Sequence, residues 1–186
     1  MSILFVENHD SFSFNLVDYL KRLGGEVQIR DHLEQPNLAG ISHLVLGPGP
    51  GEPHSSGRLM QWLQAGIEAH LPILGICLGH QAIGLHFGAQ LARAPRAIHG
   101  EAHLIKHTGI RLFTGIPDLT PVTRYHSLVL AHLSNMLIAD ARSEDGQIMA
   151  ISHVSKPIYG LQFHPESFLS KHGIEMLRNF LTTIFI

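Results

Sequence analysis

Short apolar runs separated by polar or glycine-rich turns set the rhythm of the first half of this chain. Ile3 to Val6 is continuously apolar, the pattern of a strand buried on both faces. It ends in Glu7-Asn8-His9-Asp10-Ser11, a polar loop in which Asp10 or Ser11 can cap a following helix. That helix carries Phe12, Leu16, Tyr19, Leu20 and Leu23 at helical spacing and stops at Gly24-Gly25. Val27 to Arg30 and His43 to Leu46 read as the second and third strands. A helix from about Gly57 to His70, with Leu59, Met60, Leu63 and Ile67 on one face, leads into the apolar stretch Leu71 to Leu74. After a turn, one more helix runs to about His86 or Phe87. Strands alternating with helices predict an α/β fold, an open and mostly parallel sheet flanked by helices.

From Ala89 to Ile151 the character changes to short β-like stretches, at Ala102 to Ile105, Pro121 to Thr123, Met136 to Ala139 and Gln147 to Ile151. They predict an additional small antiparallel β section. Within it Arg124-Tyr125-His126-Ser127-Leu128 is densely polar; taken alone it reads as a solvated loop, although it has the composition of a site wall. Ile158 to Phe163 is a further strand, followed by His164-Pro165-Glu166-Ser167. A last helix from about Ser170 to Phe185 is expected to bury Ile174, Leu177, Phe180 and Leu181. No linker, repeat or low-complexity tract interrupts the chain, so residues 1–186 read as a single domain.

Composition narrows the chemistry. Thirteen Lys and Arg against fifteen Asp and Glu give a net charge of −2 with no basic run, which removes the electrostatic footprint of nucleic-acid binding. No segment has the length of a membrane span, and the start lacks the basic region of a signal peptide. One cysteine cannot make an internal disulfide. These features lead us to expect a cytoplasmic protein. Fifteen histidines are scattered without metal-ligand spacing, so no metal site is expected and most of the rings are expected at the surface or in loops.

That one cysteine lies in Gly75-Ile76-Cys77-Leu78-Gly79, between an apolar strand and the helix-prone His80-Gln81-Ala82-Ile83. Strand, sharp turn, helix with glycines two before and two after a nucleophile is the pattern of a nucleophile elbow. The helix N-terminus behind it favours the thiolate. A thiol also needs a base and the base an orienting group. His164 and Glu166, two apart past a strand end, can share a face and predict a thiolate–imidazolium pair with Cys77. Gly47-Pro48-Gly49-Pro50-Gly51-Glu52-Pro53 is a rigid loop able to present backbone N–H groups to an anion, at a strand end where loops of a parallel sheet converge.

The motifs together resemble a known family. Asn8 with Asp10-Ser11-Phe12 and Asn15, Pro48 to Gly51, Gly75 to Gln81, His99-Gly100, Tyr125 to Leu128 and Gln162 to Ser167 follow its order along essentially the whole chain. The chain is similar to the class I (triad) glutamine amidotransferases, and within them to the glutaminase component of anthranilate synthase or aminodeoxychorismate synthase. The resemblance implies a flavodoxin-like sheet and a Cys77–His164–Glu166 triad hydrolysing L-glutamine to glutamate and ammonia. It implies an oxyanion hole from the N–H groups of Gly49 and Leu78. Gly49, Pro50, Gly51, Gln81, Ser127 and Leu128 would hold glutamine, with no cofactor and no metal. It also implies a larger chorismate-binding subunit, component I, that receives ammonia through a tunnel, with residues 8–15 and the His99-Gly100 loop near the interface.

Four positions depart from the family's usual pattern. Glu101 stands where Lys is general, Gly47 where Ser is, and Glu7 and His9 where Asp and a bulky apolar or Tyr residue are common. They concern partner docking rather than the triad. The alternatives are the amidotransferase part of another synthetase such as a nucleotide synthetase, a γ-glutamyl hydrolase, a catalytically silent regulatory subunit, and a general cysteine hydrolase or peptidase.

Overall fold

The computed structural model describes residues 1–182. Its strands are β1 (Ser2–Glu7), β2 (Glu26–Asp31), β3 (His43–Leu46), β4 (Ile73–Ile76), β5 (Gln90–His107), β6 (Thr120–Ala131), β7 (Leu137–Ser143), β8 (Ile148–His153) and β9 (Ile158–Leu161). The α-helices are α1 (Ser13–Arg22), α2 (Leu59–Glu68), α3 (Leu78–His86) and α4 (Gly173–Thr182). All nine strands join one sheet in the order β2-β1-β3-β4-β9-β8-β7-β5-β6. Pairing is parallel from β2 through β9 and antiparallel from β9 through β6.

The continuous apolar runs explain the layering. Successive residues of a strand face opposite sides of the sheet, so Ile3 and Phe5 enter one core with Leu16 and Leu20 of α1 and Leu177 and Phe180 of α4. Leu4 and Val6 enter the other, with Trp62 and Leu63 of α2 and Ala82 and Ile83 of α3. Both faces are covered, which a strand with one wet face would not need.

The antiparallel portion is larger than the small section read from the sequence. It is continuous with the parallel half, and β5 alone spans 18 residues. Register shifts after Arg93 and His99 break its pairing with β6, and such bulges interrupt the alternation a strand is read by. The polar run Arg124 to Leu128 lies inside β6 rather than in a loop. At the start of α1, Asp10 Oδ1 accepts the Phe12 N–H at 2.8 Å, and no side chain caps the helix itself. In α4, Leu177, Phe180 and Leu181 are buried as expected; Met176 takes the place expected of Ile174, which is half-buried. The expected extension of this helix to Phe185 reaches beyond the described residues.

Candidate active site

β4 ends at Ile76, and Cys77 follows with φ 49° and ψ −96°, a region that costs a non-glycine residue energy. Its N–H is fixed by the Leu161 carbonyl at 2.8 Å, and its own carbonyl accepts the Gln81 N–H at 3.1 Å. The flanking glycines have a steric reason. A Cβ on Gly75 would run into the Gly79 backbone, and one on Gly79 into the Leu46 carbonyl. The turn therefore packs backbone on backbone and carries the only free thiol at its apex.

β9 is the neighbour of β4, with Ile76 opposite Leu161, so the residues after Leu161 emerge beside Cys77. His164 is tied down there by its N–H to the Thr123 carbonyl at 3.0 Å, and its carbonyl accepts from Ser170 Oγ at 2.6 Å. Its ring Nδ1 lies 2.6 Å from Glu166 Oε1, both residues being buried. Among the described residues Nε2 has no hydrogen-bond partner. Burial alone would lower the imidazole's pKa, but the Cys77 side chain and the Glu166 carboxylate outweigh it and raise it well above the usual value. The ring of Tyr125 meets that of His164 edge-on at 5.1 Å between centroids.

Cys77 stands between two cavities. The first, about 190 Å³, is lined by Gly49, Pro50, Gly51, Gln81 and Tyr125 to Leu128 as well as the cysteine. Its volume is below the roughly 300 Å³ at which sites for drug-sized ligands begin, so it suits a small substrate. All six residues expected to hold glutamine line it. The second, about 410 Å³, runs from Cys77 and His164 past Tyr125 and His99 to His9, Asp10, Ser11 and Phe12. Between the two, Gly49 is wedged against Asn8 and Leu78; a Cβ there would sit 2.5 Å from Asn8 Cβ and 2.9 Å from Leu78 Cδ2. Leu78 is the first residue of α3, where helix geometry leaves the N–H without an intrahelical acceptor.

Residues 4–184 match the family described as glutamine amidotransferase class-I. The chain belongs to this family. It is 45% identical to anthranilate synthase component 2 of Mycobacterium tuberculosis, over 98% of this chain and 82% of that one. It is 40% identical to the aminodeoxychorismate/anthranilate synthase component 2 of Bacillus subtilis, over 97% and 96% of the two chains. Among solved structures, a Thermotoga maritima glutamine amidotransferase has the same fold, with TM-score 0.82 at 17% identity over 97% of this chain and 96% of that one.

The amidotransferase fold brings further residues to the thiol that motif reading left without a role. Gln162 is fully buried, and its Nε2 lies 3.7 Å from Cys77 Sγ. Its Oε1 accepts from Gln81 Nε2 at 3.3 Å, and that same amide reaches the Leu128 carbonyl at 3.3 Å. The residue was visible inside the Gln162 to Ser167 motif, but only the β4–β9 pairing shows what it touches. Most histidines are expected at the surface or in loops, but several are interior. His80, on α3, is fully buried and burial holds its pKa down at about 3. His126 is pushed to about 4, by burial first and then by the Arg124 guanidinium. Arg124 itself is buried, held by Gln147 Oε1 at 2.7 Å and His126 Nε2 at 3.1 Å.

The four departures from the family pattern also have places. Gly47 leaves room that Phe5 fills, since a Cβ would sit 2.8 Å from Phe5 Cζ. Glu101 pairs with Arg96 at 2.5 Å and with His103 at 3.1 Å on β5. Glu7 Oε1 accepts the Asp10 N–H at 2.9 Å, and His9 Nε2 meets Asp31 Oδ2 at 2.7 Å.

Proposed function

We propose that this amidotransferase is a glutaminase subunit: it hydrolyses L-glutamine to glutamate and ammonia and passes the ammonia to a chorismate-using synthase, component I. The observation that carries the reading is the buried His164–Glu166 pair, whose unpartnered Nε2 shares a cavity with Cys77 while a small polar cavity opens on the thiol's other side.

In this reading Gly49, Pro50, Gly51, Gln81, Ser127 and Leu128 hold the glutamine with its side-chain amide at Cys77. Sγ attacks the amide carbon, and the negative charge moves to the oxygen between the Gly49 and Leu78 N–H groups. Preorganised donors of this kind are worth about two to three orders of magnitude in rate. His164 takes the thiol proton and gives one to the leaving nitrogen, releasing ammonia and a γ-glutamyl thioester. Water, deprotonated by the same ring, cleaves the thioester and glutamate leaves. Glu166 holds the imidazole throughout.

The 410 Å³ cavity supports an exit for ammonia, because it leads from the triad to residues 9–12 and His99, where the family resemblance puts the partner. Exposed Phe14 and Phe168 supply apolar surface for a partner. No helix among the described residues is long and apolar enough to cross a membrane. We infer a single functional domain, residues 1–186, working in the cytoplasm, where a lone thiol stays reduced.

A glutamine-mimicking electrophile tests the chemistry: stoichiometric labelling of Cys77 is expected, and no modification would overturn the amidotransferase reading. Copurification with a chorismate-binding synthase, and a marked rise of weak glutaminase activity in its presence, test the partner. Equal turnover with and without it would contradict the proposal. Anthranilate or aminodeoxychorismate, identified as the glutamine-dependent product, names the pathway.

A further inference from the structure

At the carboxyl ends of β1 and β2, three side chains of metal-ligating type converge. The parallel register sets Glu7 opposite Asp31, and the His32 N–H donates to the Glu7 carbonyl at 3.0 Å. The two chains therefore leave the sheet side by side. His9 Nε2 lies 2.7 Å from Asp31 Oδ2, His32 Nδ1 lies 3.5 Å from Asp31 Oδ1, and one donor atom from each of the three falls within 4.8 Å of the others. Donors about 2.1 Å from a tetrahedral ion stand about 3.4 Å apart, so shifts of about 1 Å complete such a site.

The surroundings hold the donors in place. Asp31 Oδ1 accepts the Leu33 N–H at 2.8 Å, and the Asp31 N–H donates to Glu34 Oε1 at 2.9 Å. The His32 ring lies flush against Gly57, where a Cβ would come within 2.5 Å of Cδ2. The Glu7 carbonyl, 3.1 Å from His32 Nδ1, offers a further oxygen at the same spot. His32 is buried, Asp31 half-buried and His9 exposed, which leaves the group open to an ion from solvent on one side.

We propose that His9, Asp31 and His32 bind a divalent first-row transition cation of the zinc class, at a site that uses none of the proposed triad residues. Two imidazoles and one carboxylate suit zinc, cobalt or nickel; magnesium and calcium ask for more oxygen donors than stand here. The ion takes the place of the hydrogens that His9 Nε2 directs at Asp31 and His32 Nδ1 directs at the Glu7 carbonyl, which leave as the site fills, and water or that carbonyl completes the shell. Because His9 also lines the 410 Å³ cavity beside Cys77 and His164, a bound ion ties a wall of that cavity to β2.

The test uses the untagged chain carrying Cys77→Ala, so that the thiol cannot take the metal, with Zn²⁺ alone as the probe. Calorimetry is expected to show one equivalent bound in the micromolar range. His9→Ala and Asp31→Asn should each weaken it by about tenfold or more and abolish the rise in thermal midpoint that Zn²⁺ gives the parent. Should Asp31→Asn fold poorly, His9→Ala decides, since that side chain is exposed. No stoichiometric binding in the Cys77→Ala chain, or affinity unchanged by His9→Ala, would overturn the proposal and leave a His9–Asp31 hydrogen bond only.

Discussion

Gln162 links the side chain of Gln81, which faces the small cavity, to the Cys77 thiol. Its amide N–H points at Cys77 Sγ from 3.7 Å, while its carbonyl oxygen is engaged by Gln81. A donor aimed at sulfur stabilises the anion, and hydrogen bonds to charged groups are worth about 1.5–3 kcal/mol. Gln162→Leu is therefore expected to lower kcat/KM for glutamine by roughly ten- to a hundredfold, and to slow alkylation of Cys77 by iodoacetamide in parallel. The alkylation rate separates this role from a loss of substrate binding, which would leave it unchanged. The chemistry-bearing residue types were legible one by one, because cysteine, histidine and glutamate at turn positions announce themselves. Gln162 was visible only as part of a motif, because the role of a glutamine just past a strand end cannot be read until its neighbours are known.

At the scale of elements, the site is a product of strand pairing. Cys77 and His164 are far apart in sequence, yet β4 and β9 are adjacent and in register, Ile76 opposite Leu161. The elbow then depends on two glycines. Replacing Gly79 by Ala would drive a Cβ into the Leu46 carbonyl and to 2.8 Å from the Leu46 Cβ. Overpacking typically costs about 1–3 kcal/mol. Urea unfolding of Gly79→Ala is expected to show at least that loss, together with slower labelling of Cys77. A variant as stable as the parent would refute the steric account. β1, β3, β4 and the helices among them were readable because each is a buried run or a single-face stripe, whereas β2 is an edge strand with no buried residue. Only short pieces of β5 and β6 were readable, at Ala102 to Ile105 and Pro121 to Thr123, since bulges and buried polar residues break the two-residue period elsewhere.

For the whole molecule, the interior histidines set the response to acid. His80 and His126 are held neutral by burial, with pKa values of about 3 and about 4. The unfolded chain binds protons on these rings below about pH 6.5, so the stability they allow is present above that pH. It is lost as the pH falls toward their folded values. Each ring contributes a loss on the order of 1.4 kcal/mol per pH unit across that window. His164 has the opposite sign: its raised pKa gives stability that is complete below about pH 6.5 and fades as the pH rises through the folded value. Urea midpoints measured from pH 7 to pH 4.5 are expected to fall steadily, and a flat profile down to pH 5 would exclude buried neutral rings.

The sequence by itself pointed to the layer architecture, the elbow and the candidate nucleophile, base and orienting acid of the proposed triad. These rest on local periodicity, on glycines a tight turn demands and on residue chemistry, all of which are properties of short segments. The tertiary structure decided which of them meet. The order β4-β9 brings a thiol and an imidazole together, a second sheet half supplies the Tyr125 to Leu128 wall, and the β1–β2 register gathers His9, Asp31 and His32. No spacing along the chain encodes these meetings, because they arise from hydrogen-bonded strands whose partners are chosen by the packing of the whole core.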